Sequence, residues 1–219
     1  MNHKSQTLYL VRHGESKSND MNRIQGHSDS GLTQRGLRQA RKVAQRLKRV
    51  PFAKMYCSDL GRAHATGLTI AKVMKKRLIK DETLREIMLG EWEGLSTKEV
   101  DEQYNQGYQQ WIQSPSQMVI PKAEKVKAFH KRVRNSIDNI MLKDLKGPIL
   151  VVTHGGVIAS LLSNWLKADF DTVLLNLRVD NTSVTVVERN SSRIKIHTLN
   201  DVRHLDSADM NQKNIFTNR

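Results

Sequence analysis

The chain has 219 residues, 38% hydrophobic and 26% charged, with 36 Lys and Arg against 22 Asp and Glu and a formal net charge of +14. That length suits one domain with a well-buried core, and the single cysteine, Cys57, excludes an internal disulfide framework and a multi-cysteine metal site. One thiol suits a reducing, cytoplasmic setting; no signal-peptide pattern opens the chain, and the most apolar stretch, 148–166, is interrupted by His154 and Asn164, so no membrane span is expected.

The apolar run Leu8-Tyr9-Leu10-Val11 predicts a buried strand over 7–11 that ends in Arg12-His13-Gly14. A loop then reaches Gly31. Leu37, Ala40, Ala44 and Leu47 recur at helical spacing and predict a helix over 33–50, which Pro51 helps to stop. Arg35, Arg38, Lys42, Arg46 and Arg49 form a basic stripe on its solvent side. A strand at 54–57 and a helix over 60–76 follow, the strand, helix, strand order of a parallel sheet. Lys75-Lys76-Arg77 reads as the basic end of that helix, where cations complement the macrodipole.

Residues 96–113 place Tyr104, Tyr108, Trp111 and Ile112 on one helical face, and 103–121 carries no charge. An apolar lid over a site and a core-facing stripe are both open readings of those aromatics. Pro115 and Pro121 bracket the break before a long helix to about residue 146. Gly147-Pro148 resets the chain for the most apolar strand, 149–152, which ends in Thr153-His154-Gly155-Gly156. Alternating runs at 183–188 and 193–199 predict a hairpin at the sheet edge, with its turn at 189–192. Residues 201–219 are polar and without pattern, a tail after a domain spanning 1–200.

Ligands of open parallel sheets sit beyond the carboxyl ends of the strands. Two strands deliver a histidine there, and His13 and His154 meet if those strands are neighbours. Arg12 is placed to clamp an oxyanion and His13 to attack it. Arg62 falls in the first turn of helix 60–76, itself an anion-binding position. Glu86 stands among apolar residues in Leu84-Arg85-Glu86-Ile87-Met88-Leu89, and a carboxyl sheltered from water keeps its proton more readily, as a general acid must. A metal reading has little support, with no HExxH, no closely spaced histidine pair and no acidic ligand run. Residues 26–31 have the glycine spacing of a nucleotide-binding P-loop, but Leu32-Thr33 stands where Lys-Ser/Thr is required.

Four blocks resemble, in order and spacing, the histidine phosphatase superfamily in its phosphoglycerate mutase-like branch. They are LVRHGES at 10–16 with Asn19, SDLGRAHAT at 58–66, LREIMLGEWEG at 84–94 and VVTHGG at 151–156. The resemblance covers residues 7–199. It implies an α/β three-layer sandwich with a mostly parallel central sheet flanked by helices. It also implies that His13 forms a phosphohistidine, with Arg12, Arg62 and His154 around the transferring phosphoryl group. Glu86 matches the proton donor to the leaving oxygen, which then serves as base for the water that hydrolyses the intermediate. Asn19, Gln25 and Gly26 match the phosphate-contacting loop, and Gly155 joins His154 at the substrate. No metal or cofactor is expected, and the partner is a small phosphorylated substrate.

Mutases of this family carry a lysine eleven residues after the acid and an arginine pair further on. Here that position is Thr97, and no arginine occurs from Glu86 through Lys131. Gly90-Glu91-Trp92-Glu93-Gly94 is similar instead to the broad-specificity phosphatases, which favours a phosphomonoester hydrolase over a cofactor-primed phosphoglycerate mutase. His154-Gly155 lacks the His-Asp pair of the superfamily's other branch. Pro121-Lys122-Ala123-Glu124-Lys125 keeps only the proline and glutamate of the family's Pro-x-Gly-Glu-Ser element. The charge of +14 leaves a different class open, a basic nucleic-acid or protein-binding protein on the same fold. Without zinc-finger spacing, an RNP-like aromatic pattern or a basic zipper, the stripe over 35–49 reads as a solvated face.

Overall fold

The computed structural model describes residues 5–143, 146–190 and 193–210. Its strands are β1 (Gln6–Arg12), β2 (Lys54–Cys57), β3 (Ile79–Lys80), β4 (Ile149–Thr153), β5 (Val184–Asn190) and β6 (Arg193–Asp201), forming one sheet in the order β3-β2-β4-β1-β5-β6. The first four run parallel, and β5 and β6 add an antiparallel edge. The helices are α1 (Lys17–Asp20), α2 (Gln34–Leu47), α3 (Gly61–Met74), α4 (Thr97–Gln103), α5 (Gly107–Trp111), α6 (Val126–Met141), α7 (Gly155–Leu166) and α8 (Phe170–Asn176).

Every residue of β4 is buried, as a continuous apolar run requires when helices cover both faces of a parallel sheet. Val43, Ala44 and Leu47 of α2 and Ile70 and Ala71 of α3 pack with Val11, Met55 and Val152 on one face. Phe129, Val133 and Ile137 of α6 and Val157, Ile158 and Leu161 of α7 pack with Leu8, Leu10 and Val151 on the other. The result is the three-layer α/β sandwich that the resemblance implies. Thr33 caps α2, its side chain accepting from Gly36 N at 3.0 Å.

Several boundaries differ from the sequence reading. Residues 96–113 hold two short helices, α4 and α5, because the chain turns at Asn105 and Gln106 with φ of +48° and +59°. Helix α6 ends at Met141, short of the expected 146. Arg189 and Asn190, expected in the hairpin turn, pair with Ile194 and Arg193 in the ladder, and 191–192 lie outside the described residues.

The expected tail is the larger correction. Through residue 210 it packs on α2, and its carboxylates take up the basic stripe. Arg46 Nη2 meets Asp201 Oδ2 at 2.6 Å, and Lys42 Nζ lies 2.6 Å from both Asp206 and Asp209. Arg38 Nε donates to Asp209 Oδ1 at 3.0 Å, and Gln39 Nε2 to the Asp209 carbonyl at 2.7 Å. Arg35 faces Glu15 and Asp20 instead, at 3.3 and 3.6 Å. Of the stripe, Arg35, Arg38, Lys42 and Arg46 are therefore paired with acids while remaining partly exposed. The packed unit runs past residue 200, while 211–219 lie outside the described residues.

His204 completes this attachment. Arg46 Nη1 can only donate, so His204 Nδ1 accepts from it at 3.2 Å and the ring's Nε2–H faces Thr182 Oγ1 at 3.2 Å. Burial and the Arg46 charge bring its pKa down to about 4. The unfolded chain then binds a proton that the folded one excludes, so the stability this group contributes is present above its ordinary pKa and lost as pH falls toward 4. His204→Gln should therefore flatten the fall of unfolding free energy between about pH 6.5 and pH 4 by up to about 1.4 kcal/mol per pH unit, read by urea denaturation. An unchanged slope would show that the ring titrates alike in both states.

Candidate active site

The parallel pairing of β1 with β4 sets Arg12 opposite Thr153, so the residues that follow, His13 and His154, emerge side by side. His13 N donates to the Thr153 carbonyl at 2.9 Å, and the two imidazole centroids are 5.2 Å apart. Both rings are buried, His13 at 3% and His154 at 0% exposure. On the other side of β4, β2 ends beside them and leads into α3, whose second residue is the buried Arg62.

The hydrogen bonds assign the protons. His13 Nδ1 lies 2.7 Å from the Gly14 carbonyl, which can only accept, so Nδ1 carries the hydrogen and Nε2 keeps its lone pair. Burial holds the His13 pKa well below the ordinary histidine value, Arg62 and Arg12 add to this, and the Gly14 carbonyl opposes it. His154 Nε2 is 2.9 Å from Ser58 Oγ, which accepts from Leu60 N at 3.3 Å and whose hydroxyl proton has no other acceptor among the described residues, so it goes to the ring. Its remaining proton then sits on Nδ1. Burial, followed by Arg62, His13 and Arg12, keeps this ring uncharged too.

Arg12 Nη1 donates to the Val179 carbonyl, and Arg62 donates through Nη1 to Ser28 O at 2.9 Å and through Nη2 to Gly26 O at 2.8 Å. Burial lowers the pKa of both guanidinium groups and the charge of Glu86 opposes the shift in each; both stay charged. Arg12 Nε, Arg62 Nε and His154 Nδ1 are buried without a hydrogen-bond partner among the described residues. Three such donors grouped around one imidazole suit an oxyanion.

Glu86 is half-buried opposite them. Its Oε1 accepts from Ile87 N and its Oε2 from Gly156 N, both at 3.0 Å. A Cβ at position 156 would collide with that carboxylate, so glycine there is what lets Glu86 reach the start of α7. Gly26, at φ +54°, would likewise drive a side chain into Glu93.

The pocket wall includes Arg12, His13, Asn19, Gln25, Gly26, Arg62 and Glu86. His154 packs against the ring of His13 with its Nδ1 unpartnered among the described residues, and Gly156 lines the pocket where Gly155 was expected. Asn19 Oδ1 accepts from Ser16 N at 3.2 Å, leaving its amide nitrogen to donate. Ser16 Oγ gives its one hydroxyl proton to Gln25 Oε1 at 2.8 Å. The Gly26 carbonyl serves Arg62. Tyr108 and Trp111 stack with centroids 5.9 Å apart, line the pocket, and belong to a small core around Trp92 and Ile120. Both readings of the aromatics thus hold for these two residues, whereas Tyr104 is off the wall and donates to Glu91 at 3.3 Å.

Sequence reasoning missed the residues that hold this set. Asn181 Nδ2 donates to the His13 carbonyl at 3.0 Å, and Thr182 N to the Arg12 and His13 carbonyls at 3.0 and 3.3 Å. Glu93 accepts from His27 N, Ser28 N and Leu89 N at 2.7 to 2.9 Å, and His27 Nε2 lies 2.9 Å from the Glu86 carbonyl. Arg132 grips Glu124 through Nε and Nη2 at 2.9 and 2.7 Å and the carbonyls of Thr83, Arg85 and Glu86 at 2.8 to 3.3 Å. The retained glutamate at 124 was the one sequence signal for that brace. Among the described residues, no cluster of three or more His, Cys, Asp or Glu is placed to hold a metal ion, and no helix is long and apolar enough to cross a membrane.

Comparison with known proteins identifies the family. Residues 8–202 match the model of the histidine phosphatase superfamily, branch 1. The chain is 30% identical over 198 residues to phosphoserine phosphatase 1 of Hydrogenobacter thermophilus, covering 90% of this chain and 93% of that one. It is 32% identical over 210 residues to a Serratia proteamaculans protein named probable phosphoglycerate mutase GpmB, covering 94% and 97%. Among solved structures, Bacillus stearothermophilus YhfR superposes with a TM-score of 0.86 at 31% identity, covering 91% and 98% of the two chains.

Because the Gly156 contact is with the end of a flexible side chain, Gly156→Ala should displace Glu86 and leave the fold intact. A loss of about 100-fold in kcat/KM for a phosphomonoester is expected, with little change in melting temperature. Unchanged kcat/KM would show that the Glu86 position does not matter to turnover.

Proposed function

The chain belongs to branch 1 of the histidine phosphatase superfamily, and from that membership we propose that His13 is the nucleophile of a phosphomonoester hydrolase that works through a phosphohistidine. One observation carries the assignment. His13 is buried between two guanidinium groups, yet neutral, with its proton on Nδ1 and the lone pair of Nε2 left for attack.

In the first half-reaction Nε2 attacks phosphorus and the ester P–O bond breaks. Glu86, in its protonated form, gives that proton to the departing alcohol oxygen. Arg12 and Arg62 spread positive charge over the equatorial oxygens, and His154 Nδ1–H adds a neutral donor beside them. Asn19 and Gln25 help orient the phosphate from the loop side. In the second half-reaction Glu86, now ionised, takes a proton from water; the water oxygen attacks phosphorus, the P–N bond breaks, and inorganic phosphate leaves with His13 restored.

Hydrolysis rather than mutase turnover is supported by Thr97. It starts α4, away from the pocket wall, where a mutase of this family carries its substrate-gripping lysine.

His13→Ala should abolish both turnover and the acid-labile phosphoenzyme trapped from a labelled substrate, and an unaltered phosphoenzyme would remove His13 as nucleophile. Glu86→Gln should slow alkyl phosphates by about 100-fold to 10,000-fold and p-nitrophenyl phosphate far less, because only the alkyl leaving group needs protonation. Equal losses on both would take the acid role from Glu86.

A further inference from the structure

Beyond the phosphate end, the pocket is lined mainly by apolar side chains, among them Ile87, Leu89, Trp92, Tyr108, Trp111 and Met118. Phe170 and Leu174 of α8 belong to the same lining. The charged groups on this outer wall are Arg23, Glu124 and Asp180. Arg23 is already engaged, donating to Gly94 O at 2.6 Å and to Glu99 at 3.1 Å. Glu124 is held by Arg132, and Asp180 accepts from Arg178 Nε at 2.7 Å and Asn200 Nδ2 at 2.9 Å.

We propose that this outer pocket selects phosphomonoesters of apolar alcohols, and discriminates against esters whose alcohol carries a carboxylate. A carboxylate entering it would leave water for an apolar wall that also holds two carboxylates, and the one cation outside the phosphate site among the described lining residues, Arg23, is already paired with Glu99. An alkyl or aryl group would bury its surface against the stacked Tyr108 and Trp111 and against Leu89 and Trp92 of the same lining. The preference named here is thus opposite to what the names of the phosphoserine and phosphoglycerate relatives would lead one to expect.

The inference rests on the pocket being the phosphomonoester site, and a series of unactivated esters separates the two. Straight-chain alkyl phosphates from ethyl to hexyl have leaving groups of nearly equal acidity, so chain length reports contact alone. We expect kcat/KM to rise about threefold to fourfold per added methylene, corresponding to about 0.8 kcal/mol, and butyl phosphate to exceed phosphoserine and 3-phosphoglycerate. Trp111→Ala should flatten the chain-length dependence. Met118→Lys, on the rim of the same wall, should shift the ratio toward 3-phosphoglycerate without requiring a core residue to be removed. A flat alkyl series, or 3-phosphoglycerate or phosphoserine as the better substrate, would overturn the apolar preference while leaving the catalytic assignment standing. Loss of hydrolysis of every ester in His13→Ala tests that assignment separately.

Discussion

Two guanidinium groups buried beside two imidazoles impose the constraint on which the site depends. Burial raises the cost of protonating both rings, and each cation raises it further, so His13 and His154 are held neutral by their surroundings. The guanidinium groups are themselves satisfied mostly by backbone carbonyls. Arg12 uses Val179, Arg62 uses Ser28 and Gly26, and the nearest carboxylate to Arg62 is Asp29 at 3.6 Å. A close bidentate carboxylate on either arginine would have quenched the positive potential that a phosphoryl group needs. Carbonyl partners hold the groups in place and leave their charge to act on the substrate.

The scaffold delivers these groups from distant parts of the chain with few moving parts. The pairing of β1 with β4 fixes the two histidines, and the adjoining end of β2 places Ser58 and Arg62. Glu86 is on no regular element, and its position depends on three contacts of different kinds. Gly156 leaves room for its carboxylate, His27 binds its carbonyl, and Arg132 ties its segment to Glu124 on the stretch leading into α6. A proton donor on an irregular segment needs such bracing, because a shift of an ångström would separate it from the leaving oxygen.

What residue pattern marks most directly lies within a few residues of a strand end, whereas Glu86 was legible from its apolar neighbours and Asn19, Gln25 and Gly26 only through the resemblance. Arg12, His13, Arg62 and His154 follow apolar runs whose period and length announce buried strands, and their chemistry is local to those ends. Asn181, His27, Glu93 and Arg132 act across 60 or more residues of chain or through backbone atoms, and no short-range pattern marks them. The segment after residue 200 was misread for a different reason. Apart from Leu205 its attachment is polar, carried by carboxylates meeting the cations of α2, by the Asp209 carbonyl and by His204, so a scan for apolar periodicity finds nothing there. Tyr108 and Trp111 resisted a single reading because one face of each belongs to a core cluster while the pair also forms part of the pocket wall.

The pocket therefore has two chemically distinct ends: a cationic, hydrogen-bonding floor around His13 and an apolar outer wall over which the alcohol portion of a substrate would lie. The floor works only if His13 carries its single proton on Nδ1. Nitrogen-15 NMR of histidine-labelled protein reads that state directly. A neutral ring with a protonated Nδ1 and a bare Nε2 is expected throughout about pH 6 to pH 8, whereas an imidazolium at His13, or a neutral ring protonated on Nε2, would contradict the mechanism.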